Sequence, residues 1–243
     1  MGILRTKTIE PATGSTLTLG ASGDTITVSS DSIKANTFKD AGGNTLFTSD
    51  GAGTLSSVNS ALAGGAGPIL ISTSTASDSS SIEITSGIDS TYDEYMFVFT
   101  DINPASTTSF NFQVNAAGQS GFNETVTNIR FNAFHKEDDS ETEFSYDTSS
   151  DQAQGTAAIR LCNTSNGADE CVAGVLHLFN PSSTTYVKHF YWRISAVCNS
   201  DPQSYSQDSL GAGYFNITAA IDEIKFYCNS GNLDGVIQMY GIK

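Results

Sequence analysis

The stretch Ser109–Val114, SFNFQV, alternates large apolar side chains with polar ones. Because successive side chains of an extended strand point to opposite faces, Phe110, Phe112 and Val114 share one apolar face. The two polar residues between them share the other face. This pattern predicts a β-strand with one side turned toward a hydrophobic core.

Similar short segments recur through the last two thirds of the chain. The composition agrees with strands, because Thr, Val, Ile, Phe and Tyr recur in short bursts and 22 glycines punctuate the 243 residues. About ten candidate strands predict an all-β fold in which residues 81–243 form two packed antiparallel sheets of jelly-roll type. The candidate strands are 81–85, 95–102, 109–115, 127–136, 156–161, 172–179, 186–197, 214–218, 223–228 and 236–242.

The first 65 residues carry a looser repeat of one short apolar burst and one tight turn. The bursts fall at Leu17/Leu19, Ile26/Val28, Phe38, Leu46/Phe47 and Leu55/Val58, and Gly-rich or Asp-rich turn sequences separate them. One such unit has too little apolar surface to fold alone, so the segment needs partners.

Three arrangements of this segment satisfy that requirement: a slender stem of three identical chains, a single-chain solenoid, or an extended arm lying on another protein. We favour the three-chain stem, because three copies triple the apolar side chains per unit length. Its predicted core on the threefold axis consists of Leu17, Leu19, Ile26 and Val28. Residues 1–65 are then an attachment segment and repetitive β stem, the Gly/Ser-rich residues 66–80 a linker, and residues 81–243 a distal β-sandwich domain.

The net charge of −15 is unevenly distributed. Residues 1–80 hold four basic and six acidic groups, whereas residues 81–243 hold seven basic and twenty acidic groups. An acidic surface repels phosphate and therefore disfavours nucleic acid as a partner. No apolar run reaches the ~18 residues of a membrane-spanning helix, and the opening MGILRTKTIEPATG does not read as a secretory signal, so no membrane insertion is predicted.

The four cysteines, Cys162, Cys171, Cys198 and Cys228, do not have the paired spacing of a zinc site. Without an export signal we expect reduced, mostly buried thiols. Cys162 and Cys171 bracket a loop-like stretch and are the pair expected if any bridge forms.

Catalytic motifs are weak. His177 and His189 lie in apolar strand-like sequence and read as packing residues facing each other across a turn, with His135 the third histidine. The segment QDSLGAG, residues 207–213, resembles a lipase nucleophile block only in part, and no phosphate-binding glycine motif is present. We predict no enzymatic activity and no cofactor.

An acidic run, HKEDDSETEFSYD at 135–147, offers calcium ligands in Asp138, Asp139 and Glu141. It lacks the spaced Asp/Asn-Gly pattern of a calcium loop, and a solvated loop between strands is the simpler interpretation.

Several segments together resemble fibre-like virion proteins of marine tailed bacteriophages. The quoted segments are KTIEPATGSTLTLGASGDTI at 7–26, SGIDSTYDEYMFVFTDINP at 86–104, FHKEDDS at 134–140, LFNPSSTTYVKHF at 178–190, GYFNITAAIDEIKF at 213–226 and the terminal MYGIK. The resemblance implies a structural or host-recognising role in the virion, without a signal peptide because such proteins are made in the host cytoplasm. It implies no catalytic residue.

Three hypotheses follow for the function. The first is a homotrimeric tail fibre or spike that attaches to other virion proteins through its N-terminal segment and contacts the host with its distal domain. The second is a capsid-attached head fibre or decoration protein. The third is a carbohydrate-binding or carbohydrate-active β-sandwich protein. If the distal domain binds a host-surface glycan or receptor, Tyr92, Tyr146 and Tyr205 in polar, loop-like sequence are the expected platforms, although each can instead cover one end of the sandwich.

The stem hypothesis predicts that replacing Leu19 and Ile26 together with Asp dissolves the stem while residues 81–243 keep their β circular dichroism. Fully burying one such side chain stabilises by about 1.5–3 kcal/mol, whereas ordering each residue costs about 1–2 kcal/mol of backbone entropy. Light scattering measures the mass of the wild-type protein and of the variant. A wild-type monomer at micromolar concentration with residues 13–60 protected from protease indicates a single-chain solenoid instead. A monomer that is cut readily in this segment indicates an arm.

Overall fold

The computed structural model describes residues 35–40, 42–49, 51–52, 55–56, 58, 67–200 and 203–243. The chain divides into two compact units, residues 1–64 and 65–243. No helix occurs in these ranges, and every strand pairing in them is antiparallel, so the predicted all-β class is confirmed. A helix capable of crossing a membrane is accordingly not found among the described residues.

The described part of the N-terminal unit is a small meander of three strands, β1 (Thr37–Lys39), β2 (Thr45–Ser49) and β3 (Leu55–Ser56). Phe38 lies opposite Phe47, with ring centroids 4.5 Å apart. The turn between them is closed by Asp40, whose carboxylate accepts hydrogen bonds from the backbone N–H (2.8 Å) and side-chain amide of Asn44. The short strands and tight turns predicted here are present. The predicted stem core Leu17, Leu19, Ile26 and Val28 lies outside the described residues.

Strands are the only regular secondary structure in the described part of the C-terminal unit. These strands are β4 (Ile69–Ser79), β5 (Ile82–Ile84), β6 (Glu94–Pro104), β7 (Thr108–Ala116), β8 (Val126–Lys136), β9 (Thr142–Tyr146), β10 (Gln152–Gly155), β11 (Ile159–Thr164), β12 (Val172–Phe179), β13 (Lys188–Ser200), β14 (Gln203–Phe215), β15 (Ile221–Cys228) and β16 (Leu233–Ile242).

Two open antiparallel sheets contain these strands. The large sheet has the order β10-β8-β14-β13-β12-β6-β16-β4. Strand β9 also pairs with β8, on the same side of β8 as β10. The small sheet has the order β11-β7-β15-β5. The chain crosses from one sheet to the other between most consecutive strands, whereas β12, β13 and β14 follow one another as antiparallel neighbours within the large sheet. This arrangement is that of a β-sandwich with sheets of unequal width.

The core lies between the two sheets and is rich in phenylalanine. Phe99 of the large sheet contacts Phe110 and Phe226 of the small sheet edge to face, with centroids 5.3 and 5.2 Å apart. Phe110, Phe112 and Val114 are completely buried, as the alternation in SFNFQV predicts. Complete burial of each such side chain is worth about 1.5–3 kcal/mol.

The predicted linker 66–80 is wrong over most of its length, because residues 69–79 form the edge strand β4, paired with β16. A strand at a sheet edge gains backbone hydrogen bonds from one neighbour and needs few apolar side chains. Ala76 alone is buried, and Ile71 packs against the core. The Ser/Thr-rich composition that reads as a flexible linker therefore belongs to a solvated edge strand.

The central strand β14 is the other large departure from the sequence prediction, which had a strand only at 214–218. Its inner face carries Gly211 and Gly213, which lie opposite Trp192 and Phe190 of β13. A Cβ added at either glycine would come within 3.0 Å of the neighbouring ring. The glycines thus make room for two buried aromatic rings. Ser209, the serine of QDSLGAG, is fully buried in this strand, and the partial lipase resemblance has no structural counterpart.

We expect Gly211→Ala to destabilise the C-terminal unit by about 1–3 kcal/mol, the typical cost of adding a methyl group to a filled core. Gly67→Ala is the matched control, since no atom lies within 4 Å of its added Cβ. Denaturant unfolding monitored by Trp192 fluorescence measures both variants. Equal stability of the two variants would show that the Trp192 ring does not need the glycine.

Candidate functional site

The three histidines do not converge on a common site. The Nε2 atom of His135 lies 3.0 Å from Oδ1 of Asp139, and Nδ1 of His177 contacts Oε1 of Glu94. His177 faces Tyr191 across the β12–β13 pair rather than His189, which packs beside Tyr214. Within the described ranges no three His, Cys, Asp or Glu side chains are grouped to hold a metal ion.

The acidic loop after β8 has separate partners for its carboxylates. Asp138 Oδ1 accepts a hydrogen bond from the Ser140 N–H, and Glu141 forms an ion pair with Lys136 at 2.7 Å. Asp139 is held by His135. These side chains point to different neighbours, so Asp138, Asp139 and Glu141 are not arranged around one calcium ion.

The three predicted platform tyrosines have different environments. Tyr92 is half-buried against the core, edge to face with Tyr95. Tyr205 is in strand β14 and is also packed against the core; burial raises its pKa to about 12. Only Tyr146 is exposed, and it lies in strand β9 rather than in a loop. Tyr92 and Tyr205 therefore pack against the core of the sandwich, as the alternative interpretation of these residues has it. The ring of Tyr146 remains exposed to solvent.

The face of the large sheet turned away from the small sheet, here called the outer face, is not covered by any strand of the described residues 67–200 and 203–243. Pairing register identifies its residues, since directly opposed residues of neighbouring strands point to the same side. On β13 the residues from Lys188 to Cys198 alternate strictly, with the even-numbered ones buried in the core and the odd-numbered ones at least partly exposed. None of the apolar side chains on the outer face is buried.

One edge of the outer face carries an aromatic corner, defined as Ile129 and Phe131 of β8 with Phe144 and Tyr146 of β9. Phe144 stacks on Phe131 with centroids 5.8 Å apart and planes 3° apart, and Tyr146 packs edge-on against Phe131 at 5.4 Å. Phe144 is 68% exposed. One face of its ring is used by Phe131, which leaves the other face available to a ligand.

A shallow depression adjoins the aromatic corner. It has a volume of about 310 Å³ and is lined by His135, Lys136, Glu137, Asp139, Val197 and Ser206. His135 lies two residues from Ala133, the residue opposite Phe144, so the depression and the exposed ring are diagonal neighbours on one face. An aromatic face beside hydroxyl, carboxylate and imidazole groups suits a sugar, whose apolar side packs on a ring while its hydroxyls make hydrogen bonds.

A buried polar network holds the corner from the inner side of the sheet. Arg130, fully buried, donates to Ser209 Oγ at 2.9 Å and forms an ion pair with Asp147. Burial alone would raise the pKa of Asp147, but hydrogen bonds from Ser149 and Ser150 and the charge of Arg130 lower it. The backbone N–H of Asp147 also bonds the Arg130 carbonyl at 2.9 Å, which fixes the end of β9 directly after Tyr146.

Phe144 is not among the site residues predicted from the sequence, because its segment reads as part of an acidic, solvated loop. The alternation in TEFSY at 142–146 was the available signal, since Thr142, Phe144 and Tyr146 share one face.

No protein-family model matches the chain, and no curated protein and no solved structure is significantly similar to it.

The four cysteines are free thiols, and Cys171 is the one that is not buried. Burial raises the pKa of Cys198 to about 11 and that of Cys228 to about 12, and it also raises the pKa of Cys162. Cys162 faces the core, whereas Cys171 lies 3.9 Å from a carboxylate oxygen of Asp101, so the pair considered for a bridge is not joined.

Iodoacetamide at pH 8 should therefore label Cys171 first in the native protein and all four cysteines in denaturant. Burial and the nearby Asp101 carboxylate also raise the pKa of Cys171, so its greater exposure to solvent is what makes it the first thiol to react. Mass spectrometry of peptides counts the labelled sites. Two labelled thiols in denaturant, with Cys162 and Cys171 protected, would contradict the free state.

Proposed function

We propose that the chain is a structural protein of a bacteriophage virion, a fibre or spike of the tail. In this proposal three copies associate through the N-terminal stem, which attaches to other virion proteins. The jelly-roll-like C-terminal domain contacts the host surface. The sequence resemblance to fibre-like virion proteins supports this role, as do the short strand–turn units of residues 37–56. No catalytic step is assigned to any residue.

The observation that supports the host-contact role is the aromatic corner beside the shallow depression lined by His135, Lys136, Glu137, Asp139, Val197 and Ser206. Phe144 presents a free ring face to solvent, although a ring of this size is normally buried. Polar groups for sugar hydroxyls lie on the same face, with His135 and Ser206 directly opposed on β8 and β14. The ligand class that fits is a surface glycan of the host cell.

Two other roles remain as alternatives. A capsid-attached head fibre or decoration protein would use the same stem, and the aromatic corner would equally serve a carbohydrate-binding protein outside a virion. Gold-labelled antibody against residues 81–243, viewed on intact virions by electron microscopy, separates these possibilities. Label at the tail supports the fibre, label over the head supports the capsid alternative, and unlabelled virions exclude both.

The corner predicts a specific effect on adsorption. Purified wild-type chain should compete with the phage for host cells, and Phe144→Ala should weaken that competition about tenfold, equivalent to about 1.4 kcal/mol. Tyr186→Ala is the matched control, because Tyr186 is 71% exposed and lies in the loop between β12 and β13. Adsorption assays at increasing protein concentration give both values. Equal competition by the two variants would remove the corner as the host contact.

A further inference from the structure

Asn166 is the one asparagine in the chain that glycine follows, and the pair lies in the loop between β11 and β12. Because glycine has no Cβ, the backbone nitrogen of Gly167 is not shielded by a side chain of its own. That nitrogen is separated from Cγ of Asn166 by few enough bonds for the two atoms to close a five-membered succinimide ring. The contacts of the two residues decide whether the native fold favours this closure.

A buried carboxylate holds the nucleophile. The N–H of Gly167 donates to Oε2 of Glu170 at 2.9 Å, and Glu170 is only 6% exposed. An amide nitrogen must lose its proton to attack a carbonyl carbon, and a carboxylate at hydrogen-bond distance is placed to accept that proton as a general base. A side chain at position 167 would disturb this contact, since an added Cβ would lie 2.6 Å from the carboxyl carbon of Glu170.

The electrophile has a partner as well. The hydroxyl of Thr107 donates to Oδ1 of Asn166 at 3.1 Å. This oxygen gains negative charge when the ring closes, and a donor that is already in place stabilises the charge. Asn166 is exposed, so its amide nitrogen can leave into solvent as ammonia.

Further hydrogen bonds fix the turn that joins base and nucleophile. The side-chain amide of Asn103 donates to the carbonyl of Gly167 at 2.9 Å and also to the carbonyl of Glu170. The N–H of Glu170 donates to the carbonyl of Gly167 at 3.1 Å. The turn is therefore ordered before the reaction begins, which reduces the entropic cost of reaching a reactive geometry.

We propose that Asn166 is a self-modifying site, which the native fold converts to a mixture of aspartate and isoaspartate. In the first step the bond between Gly167 N and Asn166 Cγ forms and the Cγ–Nδ2 bond breaks. Glu170 takes the proton from Gly167 N and passes it to the departing nitrogen, which leaves as ammonia. Water then adds to one of the two succinimide carbonyl groups and opens the ring.

The product differs from asparagine in charge and, in part, in backbone length. Either form adds one negative charge beside Asp169 and Glu170, and isoaspartate adds a methylene group to the backbone of the loop. The reaction involves the β11–β12 loop and its neighbours only, so the proposal does not depend on a virion role.

The test incubates the full-length protein in ¹⁸O-labelled water at neutral pH, both native and unfolded in urea. Peptide mass spectrometry follows residue 166, where each conversion adds one ¹⁸O atom. Isoaspartate identifies attack by Gly167 N, because direct hydrolysis of the side-chain amide gives aspartate alone. We expect the native protein to convert Asn166 at least about tenfold faster than the unfolded chain. Asn229, exposed and followed by serine, is the internal reference and should stay largely unconverted.

Two substitutions separate the roles of the neighbours. Glu170→Gln keeps the size of the side chain, removes the base and should slow native conversion to the rate in urea. Thr107→Val removes the hydroxyl and should slow native conversion several-fold, whereas Thr107→Ser should keep the wild-type rate. Glu143→Gln is the matched control, because Glu143 is an exposed glutamate on strand β9 and its substitution should change nothing.

The comparison of native with unfolded wild-type protein needs no variant to fold. Native conversion that is no faster than conversion in urea overturns the proposal. Faster conversion in folded Glu170→Gln also overturns it, because the hydrogen bond from Gly167 would then protect the amide. Unchanged rates in both Glu170→Gln and Thr107→Val, with β circular dichroism intact, overturn it as well.

Discussion

The side chains on each of the two faces of a wide β-sheet must be either buried or solvated, and in this protein the small sheet covers only one face of the large sheet. Every strand alternates between the two faces, so the position of the small sheet decides which half of each strand must be apolar core. On β13 this constraint places Trp192 and Phe190 inside and leaves Tyr191 outside. The inner rings then require Gly211 and Gly213 on the next strand. Alternate residues of one strand therefore form the core and the outer surface of the sheet.

The outer face has its own division of chemistry. At its edge, Phe144 offers a ring face beside the shallow depression, which fits a ligand that has both an apolar side and polar groups. At its centre, the ring of Tyr191 stacks on His177, which is paired with Glu94, and Arg193 is paired with Asp208. The two regions therefore differ in whether a ring face is left free.

The sequence predicts those strands whose apolar pattern is complete within the strand itself. SFNFQV in β7 and the segment 172–179, whose predicted and observed bounds coincide, carry their own periodicity. Strand β4 is stabilised at an edge by the backbone of β16, and β14 by rings that belong to β13. The residues of these two strands, mostly Ser, Thr and Gly, suit the backbone or the rings of the neighbouring strand and show no apolar periodicity of their own. That information exists only once the pairing register is known.

The same limit applies to the site. Tyr146 is identifiable as an aromatic residue in polar sequence, but its placement beside Phe144 and Phe131 depends on the pairing of β9 with β8. Likewise, nothing in the sequence joins Glu94 to His177, which are 83 positions apart. Residue types show which side chains are able to bind or to pack, whereas the pairing register decides which residues act together.

Strand β8 shows how closely the two faces depend on each other. Arg130 points inward and is the fully buried partner of Asp147, while its neighbours Ile129 and Phe131 point outward and form half of the aromatic corner. A buried cation is tolerated only when its partner is held in place, and losing that partner costs about 3–5 kcal/mol. The ion pair therefore fixes the segment that follows β9, and with it the position of Tyr146 on the other side of the sheet. The shape of the candidate site is therefore set by an ion pair on the opposite face of the sheet.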